Sequence, residues 1–522
     1  MAGQQGTRAV GWVVAVHETT PRTARRALVV ARAARRSRCG VTSTRRSVMM
    51  VQAVEHGATT PVDEKKEKEL KRVVCKFGGS SLANAERLRE VTKLIKLQME
   101  KSEQYPVVVL SAMGPSTNEL LAAGEKALLE GIVDISTVRT RAYEACDSLG
   151  LNKEDLVDPL LSNLDQLLLG IKFIKELSPR TKDQLVSYGE RMSVRIMAAH
   201  LRINEALPAV HFDAYDLGFR TDSNYTNAEL LSCTHGLIQD AFQRLVGENT
   251  LAIVTGFIAK DEKNCVTTLG RGGSDLTATT IGAALGVTEV QVWKDVDGIL
   301  STDPRLVKDV VQVPLVTFDE ASEMAYFGAK VLHPVAMQPA RKYSIPVRVK
   351  NSYNPNHPGT RIVNTRDVNK DKPVTSLSLK RGVTVVDIVS TRMLGAYGFL
   401  AEVFKVFAQL QISVDMIASS EVSISLTLDK ACGSDGTCGT LEQELSEVAN
   451  VQFERNKAII SIVTNVPRSS WVLANAMGAL EEGAIDVEMI SQGASKYNIS
   501  FITKEKDCEK ALRLLHQKFF EE

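Results

Sequence analysis

Short apolar runs alternate with amphipathic segments between residues 72 and about 363. Strands are predicted at 73–77, 106–111, 209–212, 251–257, 289–294 and 345–350, where β-branched residues cluster. A helix is predicted over 86–99, because apolar residues recur there every three or four positions. Strands that alternate with helices predict an α/β domain with a largely parallel sheet, which we place at 70–363.

The pattern changes after a polar segment, 364–372, that precedes Pro373. The hexapeptide at 412–417 (ISVDMI) then matches the one at 485–490 (IDVEMI), 73 residues later. Each copy follows a helical pattern and precedes a β-rich run, at 421–428 or 497–503. These repeats predict a linker over 364–382 and two tandem ferredoxin-like modules at 383–452 and 453–522, whose boundaries are allowed to interleave.

Length and composition indicate the number of domains and the class of protein. With 522 residues the chain is too long for a single core, which rarely exceeds ~250–300 residues. Its hydrophobic share of 44% and charged share of 24% are typical of globular proteins and exclude a disordered or collagen-like chain. Since no run of ~18 apolar residues occurs, no membrane partner is expected.

The net charge of +1 hides a strong asymmetry. Residues 1–50 contain ten Arg, no Lys and one acid, which leaves a net charge of −8 on the remainder. An Arg-rich, acid-poor leader predicts a disordered organellar transit peptide and lead-in over 1–60. A basic tail that binds nucleic acid is the other interpretation of this segment, but we expect no nucleic-acid partner.

The eight cysteines are scattered without C-x-x-C spacing, and H-E-x-x-H is absent from the sequence. Zinc and thioredoxin-type chemistry are therefore not expected, and we predict no metal site built from protein ligands alone. Cys432 and Cys438 flank a short glycine-containing loop, which leaves open either a regulatory disulfide or two separate thiols.

The first chemical signal is KFGGSS after a predicted strand. Lys76 brings a positive charge to the strand end, Gly78 and Gly79 let the backbone approach a ligand, and Ser80 can begin a helix whose amides attract anions. An ordinary turn is the alternative. The spacing differs from the P-loop motif, so a phosphate site of another kind is predicted.

The second signal is TLGRGGSDLTA at 268–278. Arg271 has the fork geometry that suits a carboxylate or a phosphate. Asp275 either caps the following helix or orients a lysine at a reacting phosphate. Lys330, in FGAKVLHP, is a second candidate phosphate partner.

These motifs, together with SAMGPSTNEL, SYGERMS and VWKDVDGILSTDPR, occur in an order that resembles the aspartate kinases of the amino-acid-kinase superfamily. The resemblance extends from about residue 70 to the C-terminus and is closest to the monofunctional, lysine-sensitive plant and algal type. It implies a three-layer αβα fold with a mainly parallel sheet, followed by two βαββαβ ACT modules. It also implies transfer of phosphate from ATP to L-aspartate, the first step of aspartate-family amino-acid biosynthesis.

The resemblance implies roles for individual residues. Catalysis would rest on Lys76, Asp275 and Lys330. ATP would be bound by Lys76, Gly78, Gly79, Ser80, Lys294, Asp295, Leu300, Arg305, Lys330 and Val331. The substrate would be bound by Ser111, Thr117, Glu190, Arg271 and Ser274, with Glu190 on the α-ammonium and Arg271 on the α-carboxylate. An allosteric effector would be bound by Met393, Gly398, Phe399, Leu400, Ser413, Asp415, Ser420 and Glu421, with Asp415 on its ammonium.

The same resemblance implies Mg²⁺ with ATP, L-lysine as an allosteric inhibitor, and a homodimer or homotetramer through the ACT modules. It favours the plastid stroma over the mitochondrion, and it leaves open whether S-adenosylmethionine also inhibits. One departure is Gly114-Pro115-Ser116, since Pro115 restricts the substrate loop. Two alternatives remain at this stage: a kinase of glutamate or acetylglutamate, and a catalytically inactive ACT-type sensor.

Overall fold

The apolar runs form strands that alternate with helices, as the sequence predicts. The computed structural model describes residues 72–521 except 102–103, 247–248, 328–331, 368–371, 391–396, 429–436, 447–448, 465–467 and 494. The strands are β1 (Val73–Phe77), β2 (Val107–Leu110), β3 (Ala209–Phe212), β4 (Leu251–Thr255), β5 (Ile258–Lys260), β6 (Val266–Thr268), β7 (Glu289–Lys294), β8 (Ile299–Leu300), β9 (Gln312–Val313), β10 (Leu315–Thr317), β11 (Val347–Asn351), β12 (Thr360–Val363), β13 (Val374–Val389), β14 (Val414–Ser419), β15 (Ser423–Leu428), β16 (Asn450–Thr464), β17 (Met489–Gln492) and β18 (Asn498–Lys504).

The helices connect these strands and pack on the two sheets. They are α1 (Ala85–Lys101), α2 (Ser116–Leu129), α3 (Ser136–Leu149), α4 (Lys153–Leu156), α5 (Asp158–Ile174), α6 (Pro179–Ile203), α7 (Thr234–Ala241), α8 (Gly273–Leu285), α9 (Phe318–Tyr326), α10 (Pro334–Lys342), α11 (Phe399–Gln409), α12 (Thr437–Ser446), α13 (Ser469–Glu482) and α14 (Cys508–His516). No helix among the described residues is both long enough and apolar enough to cross a membrane.

In the described part of the chain, eight strands form the first sheet, in the order β10-β12-β11-β7-β1-β2-β4-β3. Only the β11–β12 pair among these neighbours is antiparallel. Successive β1 residues face opposite sides: Cys75 packs in a core with α1, α2, α3, α5 and α6, and Val74 packs in a core with α7, α8, α9 and α10. This arrangement confirms the predicted three-layer αβα architecture.

The second sheet contains six described strands, all paired antiparallel, in the order β14-β15-β13-β16-β18-β17. Its long strands β13 and β16 run through both repeats. Their register shifts near Gly382, which has φ of +72° and so adopts a backbone conformation that glycine tolerates best. One half of β13 packs with α11 and α12, and the other half packs with α13 and α14.

Two of the predicted boundaries fall inside strands of the second sheet, and the prediction allowed the modules to interleave. The expected linker extends to residue 382, but β13 already begins at Val374. The strand pairs with β16 from Val374 to Val389. The expected division at 452/453 falls inside β16. The modules interleave, since each takes half of β13 and half of β16.

Candidate active site

The sequence motifs meet at the carboxyl ends of the parallel strands, where ligands commonly bind in open α/β sheets. Lys76 is the penultimate residue of β1, which lies near the middle of the sheet. Ser111 directly follows β2, and α8 begins at Gly273. A cavity of about 320 Å³ opens between these elements. It is lined by Lys76, Gly79, Ser111, Ala112, Gly114, Thr117, Glu190, Phe257, Gly270, Gly272, Gly273, Ser274 and Asp275.

An ion pair lies in this cavity. Lys76 Nζ is 2.8 Å from Asp275 Oδ1, and each side chain is about 10% exposed. Burial would raise the pKa of Asp275, but the ammonium groups of Lys76 and Lys294 outweigh it and lower that pKa. Burial lowers the pKa of Lys294, and the Asp275 charge opposes that shift. The cavity therefore contains the ion pair of Lys76 and Asp275 under the influence of a second lysine charge, an arrangement that suits a phosphate chain.

Asp275 does not cap α8. The N-cap residue is Gly272, with φ of +76°, and Asp275 lies within the first helical turn. The alternative interpretation of Asp275 as a helix cap is therefore wrong, and its side chain is used for the pair with Lys76. The positive end of the α8 dipole adds to the attraction for negative charge in this region.

Close backbone contacts explain why glycine is needed at position 79. A Cβ on Gly79 would lie 2.9 Å from Gly114 O and 3.0 Å from Ala112 O, so only glycine lets the β1 and β2 loops approach this closely. The Gly114 amide donates to Gly79 O at 3.0 Å and joins the two loops. The two loops consequently line the cavity together with Lys76.

Glu190 is the second buried acid of the cavity. It projects from α6 and is 3% exposed. Its Oε1 accepts a hydrogen bond from the Ala112 amide at 3.3 Å, and Oε2 is buried with no hydrogen-bond partner among the described residues. Burial raises the pKa of Glu190 to about 8. A buried carboxylate with an unsatisfied oxygen calls for a cationic or hydrogen-bonding ligand.

The other predicted substrate residues surround the same space. Ser111 Oγ donates to Ser274 Oγ at 3.1 Å, and Thr117 lines the cavity at the start of α2. Arg271 is exposed in the glycine-rich segment beside the cavity, where its guanidinium has no ion pair within the described residues. Gly78 and the exposed Ser80 flank Gly79 at the rim.

Part of the predicted nucleotide set lies elsewhere. Leu300 and Arg305 line a second cavity of about 320 Å³, which also contacts β13 at residues 376–379. Arg305 pairs with Asp303 at 2.5 Å, and its side chain is 73% exposed. Asp295 is exposed after β7, whereas Lys330 and Val331 lie outside the described residues.

The predicted effector residues gather around α11 and β14. Gly398 is the N-cap of α11 with φ of +87°, and Phe399 is the first helical residue. Asp415 is paired within the chain, as described below. The exposed residues of this set are Gly398, Leu400, Ser413, Ser420 and Glu421. Met393 lies outside the described residues. Cys432 does as well, so the choice between a disulfide with Cys438 and two separate thiols also lies outside the described residues.

Two positioning residues were missed by the sequence reasoning. The Asp183 carboxylate accepts from the Thr226 amide at 2.9 Å and from the amide and hydroxyl of Thr268 at 3.0 and 2.7 Å, which fixes the start of the glycine-rich segment. Arg141 donates to Ser116 Oγ at 3.0 Å and pairs with Glu119, which holds the substrate loop. No local motif marks either residue, because each acts through partners distant in the chain.

The fold and the site together define a phosphoryl-transfer enzyme of the α/β class, in which lysines and backbone amides replace a nucleophile–base pair. An amino acid kinase family model matches residues 71–351, and an ACT domain model matches 386–436 and 460–519. The chain is 49% identical over 473 residues to chloroplastic aspartokinase 3 of Arabidopsis thaliana, covering 88% of this chain and 83% of the relative.

It is also 35% identical over 462 residues to lysine-sensitive aspartokinase 3 of Escherichia coli, covering 86% of this chain and 99% of that protein. The structure matches that of E. coli aspartokinase III in complex with aspartate and ADP, with a TM-score of 0.71, 33% identity and coverage of 86% and 99%. The chain therefore belongs to the aspartate kinases of the amino acid kinase family. The resemblance noted from the motifs is confirmed.

Proposed function

We propose that the cavity around Lys76 and Glu190 binds L-aspartate and the end of an ATP phosphate chain, and yields ADP and 4-phospho-L-aspartate. The observation that carries the proposal is the buried, unpartnered oxygen of Glu190 in the same cavity as the Lys76–Asp275 pair. One end of the cavity demands a cation and the other attracts an anion. An amino acid with a side-chain carboxylate meets both demands.

The substrate is oriented by its two ends. Its α-ammonium satisfies Glu190, and Arg271, which is exposed beside the cavity, closes on the α-carboxylate in a two-point contact. Ser111, Thr117 and Ser274 border the path between them and leave the β-carboxylate beside Lys76. A substrate with an acetylated amino group would bury Glu190 without a cation, so acetylglutamate fits poorly. The relatives likewise do not favour the glutamate kinase or the inactive sensor.

The chemistry requires no general base. An aspartate carboxylate has an ordinary pKa of ~3.9 and is already a nucleophile at neutral pH. Lys76, Lys294 and the amides near Gly79 stabilise the charge that spreads over the phosphoryl oxygens in the transition state, and Asp275 keeps Lys76 in place. We assign Gly78, Ser80, Asp295, Leu300, Arg305, Lys330 and Val331 to the rest of the nucleotide.

Mg²⁺ fits this site as an ion that enters bound to the nucleotide. No cluster of three His, Cys, Asp or Glu side chains suited to a metal ion occurs in the described residues, whereas Asp275 provides one ionised carboxylate. Mg²⁺ commonly binds through one or two carboxylates together with substrate phosphates. The ion would supply charge neutralisation on the phosphates, and Asp275 is the residue that would contact it.

Regulation and assembly follow from the tandem ACT modules. We propose that L-lysine inhibits by binding near Gly398, Phe399 and Asp415, supported by the lysine-sensitive E. coli relative. We propose that the modules join chains into a homodimer or homotetramer. Inhibition by S-adenosylmethionine is tested by adding it to the same kinase reaction as L-lysine. The division into a catalytic part and two interleaved modules supports this separation of roles.

We propose that the enzyme works in the plastid stroma and that residues 1–60 are the transit peptide. The support is the Arg-rich, acid-poor leader together with the chloroplastic relatives. A fusion of residues 1–67 to a fluorescent protein should enter plastids. Import into mitochondria instead would contradict the assignment.

The full chain, incubated with Mg-ATP and hydroxylamine, tests the reaction, because hydroxylamine traps acyl phosphates as hydroxamates. We expect aspartyl hydroxamate to form with L-aspartate, and much less product with L-glutamate or N-acetyl-L-glutamate. Equal or faster turnover of glutamate, or no hydroxamate at all, would refute the proposal. Adding L-lysine to the same reaction tests the inhibition.

A further inference from the structure

Two carboxylates at equivalent positions of the repeats each bind a lysine of the same chain. Asp415 in ISVDMI and Glu488 in IDVEMI occupy the same place in the repeated hexapeptide. Lys380 Nζ lies 2.5 Å from Asp415 Oδ2, and Lys457 Nζ lies 2.5 Å from Glu488 Oε2. The regulatory sheet therefore supplies an internal ammonium at both positions.

The two internal lysines differ in how firmly they are held. The Lys457 side chain is only 8% exposed and also contacts Glu454 at 2.7 Å. Burial opposes its charge, but the hydrogen bonds that Lys457 donates to Glu454 and Glu488 prevail and raise the pKa of Lys457. The Lys380 side chain is 19% exposed, and Asp415 is 8% exposed. Of the two pairs, the one in the first repeat has the lysine that is more open to solvent and to exchange.

Asp415 also contacts the catalytic part of the chain. Tyr326 Oη, at the last residue of α9, donates to Asp415 Oδ1 at 3.2 Å. The next residue, Phe327, is 5% exposed and packs in one cluster with Met416 and Met489, which are again equivalent positions of the two repeats. The segment that follows, 328–331, carries Lys330. Asp415 therefore contacts the end of α9 through Tyr326, and its neighbour Met416 packs with Phe327.

We infer that Lys380 is an internal ligand of the Asp415 carboxylate, which an effector ammonium must displace in order to bind, and that Tyr326 transmits this exchange to the end of α9. The inference rests on the proposed regulation by L-lysine and extends it. An effector whose side chain ends in a primary ammonium reproduces the charge that Lys380 provides. The apparent affinity for that effector is reduced by the fraction of time during which Lys380 occupies the carboxylate.

The first test compares Lys380→Met and Lys380→Gln with Lys380→Arg, which keeps a cation. Lys504→Met is a matched control, because Lys504 is a partly exposed lysine of the same sheet, 3.5 Å from Asp486. L-lysine inhibition is expressed relative to each variant's own uninhibited rate, and L-lysine binding is measured by calorimetry on the full chain. We expect about tenfold tighter binding and inhibition in the Met and Gln variants, and wild-type values in the Arg and Lys504 variants.

Unchanged or weaker L-lysine binding in folded Lys380→Met and Lys380→Gln would overturn the inference while leaving the proposed regulation intact. If wild-type protein neither binds L-lysine nor is inhibited by it, the proposed regulation fails as well, and the two failures are distinguished in one experiment. Thermal unfolding of each variant shows which of them are folded, and the two substitutions give independent readings.

The second test isolates transmission with Tyr326→Phe, which removes one hydroxyl. We expect L-lysine to bind Tyr326→Phe with wild-type affinity within about threefold, but to leave several times more residual activity at saturation. This split between binding and inhibition is the signature of a transmitting residue. Wild-type affinity with complete inhibition would show that the Tyr326–Asp415 hydrogen bond carries no signal.

Discussion

At the scale of single residues, burial and neighbouring charges set the protonation states that the reaction needs. Burial would raise the pKa of Asp275, but the charges of Lys76 and Lys294 outweigh it and lower that pKa. At Glu190 burial outweighs its backbone hydrogen bonds and the attraction of Lys76, and the pKa is raised. The same cavity thus contains two buried carboxylates with opposite shifts. In the proposed mechanism, Asp275 holds the lysine that meets phosphate, and Glu190 receives the ammonium of the substrate.

Replacing Lys76 by Met should reduce kcat on the order of a thousandfold, because a charged donor aimed at the transferring phosphate is lost. The fold should survive, since Lys294 still compensates Asp275. Hydroxamate formation and circular dichroism measure the two effects. Lys93→Met, on an exposed lysine of α1, should keep wild-type kcat. A Lys76→Met variant with more than a tenth of normal turnover would exclude the assigned role.

The pH dependence of kcat/KM for L-aspartate should report Glu190. The raised pKa means that this side chain is neutral below pH 8 in the free enzyme, and a neutral acid attracts an ammonium poorly. We therefore expect kcat/KM to rise with pH through about 8 and to level off about one pH unit higher. Glu190→Gln should raise KM and lose this rise. A rise that persists in the variant would assign the titration to another group.

At the scale of elements, the site depends on loops that approach each other at their backbones. The β1 loop contacts the β2 loop through Gly79 and Gly114. The substrate loop at the start of α2 is held from α3 by Arg141, and the glycine-rich segment before α8 is held from α6 by Asp183. The elements of the first sheet therefore serve as a rigid support for short loops.

Gly79→Ala should disrupt this support. The added Cβ would meet the carbonyl oxygens of Gly114 and Ala112 at 2.9 and 3.0 Å, and backbone atoms cannot move aside without shifting the loops. We expect kcat/KM to fall at least a hundredfold, and the melting temperature to fall as well. Gly170→Ala, inside α5 with open space around its Cβ, should instead stabilise by about 0.5–1 kcal/mol. Near-normal activity of Gly79→Ala would contradict the close approach.

At the scale of the whole molecule, the catalytic and regulatory parts share buried polar contacts. Leu377 of β13 donates its amide to Ser301 O at 2.7 Å, and Ser301 Oγ lies 2.9 Å from His516 Nε2 of α14. Glu320 of α9 is fully buried and accepts hydrogen bonds from Arg366 and from Thr375 of β13. Movements of the regulatory sheet are thereby coupled to the loop after β7 and to α9.

Breaking the Glu320–Arg366 pair should lower stability strongly. Arg366→Met leaves a buried carboxylate without its cation, which costs about 3–5 kcal/mol. Thermal unfolding of the full chain measures this loss, and Glu320→Gln combined with Arg366→Met should recover part of it. Lys126→Met, which breaks an exposed pair with Asp134, should change stability by less than about 1 kcal/mol. Equal losses of stability in Arg366→Met and Lys126→Met would contradict the burial of the Glu320–Arg366 pair.

Much of the catalytic domain could be predicted from the sequence. β1, β3 and β7 have the predicted bounds, because each is a short run in which apolar and β-branched residues cluster. Short strands such as β8 and β9 were not predicted, since two residues carry no periodicity. The shared strand β13 was also missed, because the polar segment before it and Gly382 within it both indicate a break in structure.

The site divides in the same way. Lys76, Glu190 and Asp275 could be placed together from motifs, and the structure brings them into one cavity. Asp183 and Arg141 could not, since their partners lie 85 and 25 residues away and only the packing of helices reveals them. The occupation of Asp415 by Lys380 likewise depends on strand register across the second sheet. Local chemistry was predictable, and contacts between distant elements were not.

The most direct test of the account is the position of L-aspartate in a crystal structure of the full chain with L-aspartate and Mg-ADP. We predict the α-ammonium within hydrogen-bond distance of Glu190, the α-carboxylate on Arg271, and the β-carboxylate beside Lys76 and Asp275. A reversed substrate, with a carboxylate against Glu190, or binding outside this cavity, would contradict the proposed mechanism.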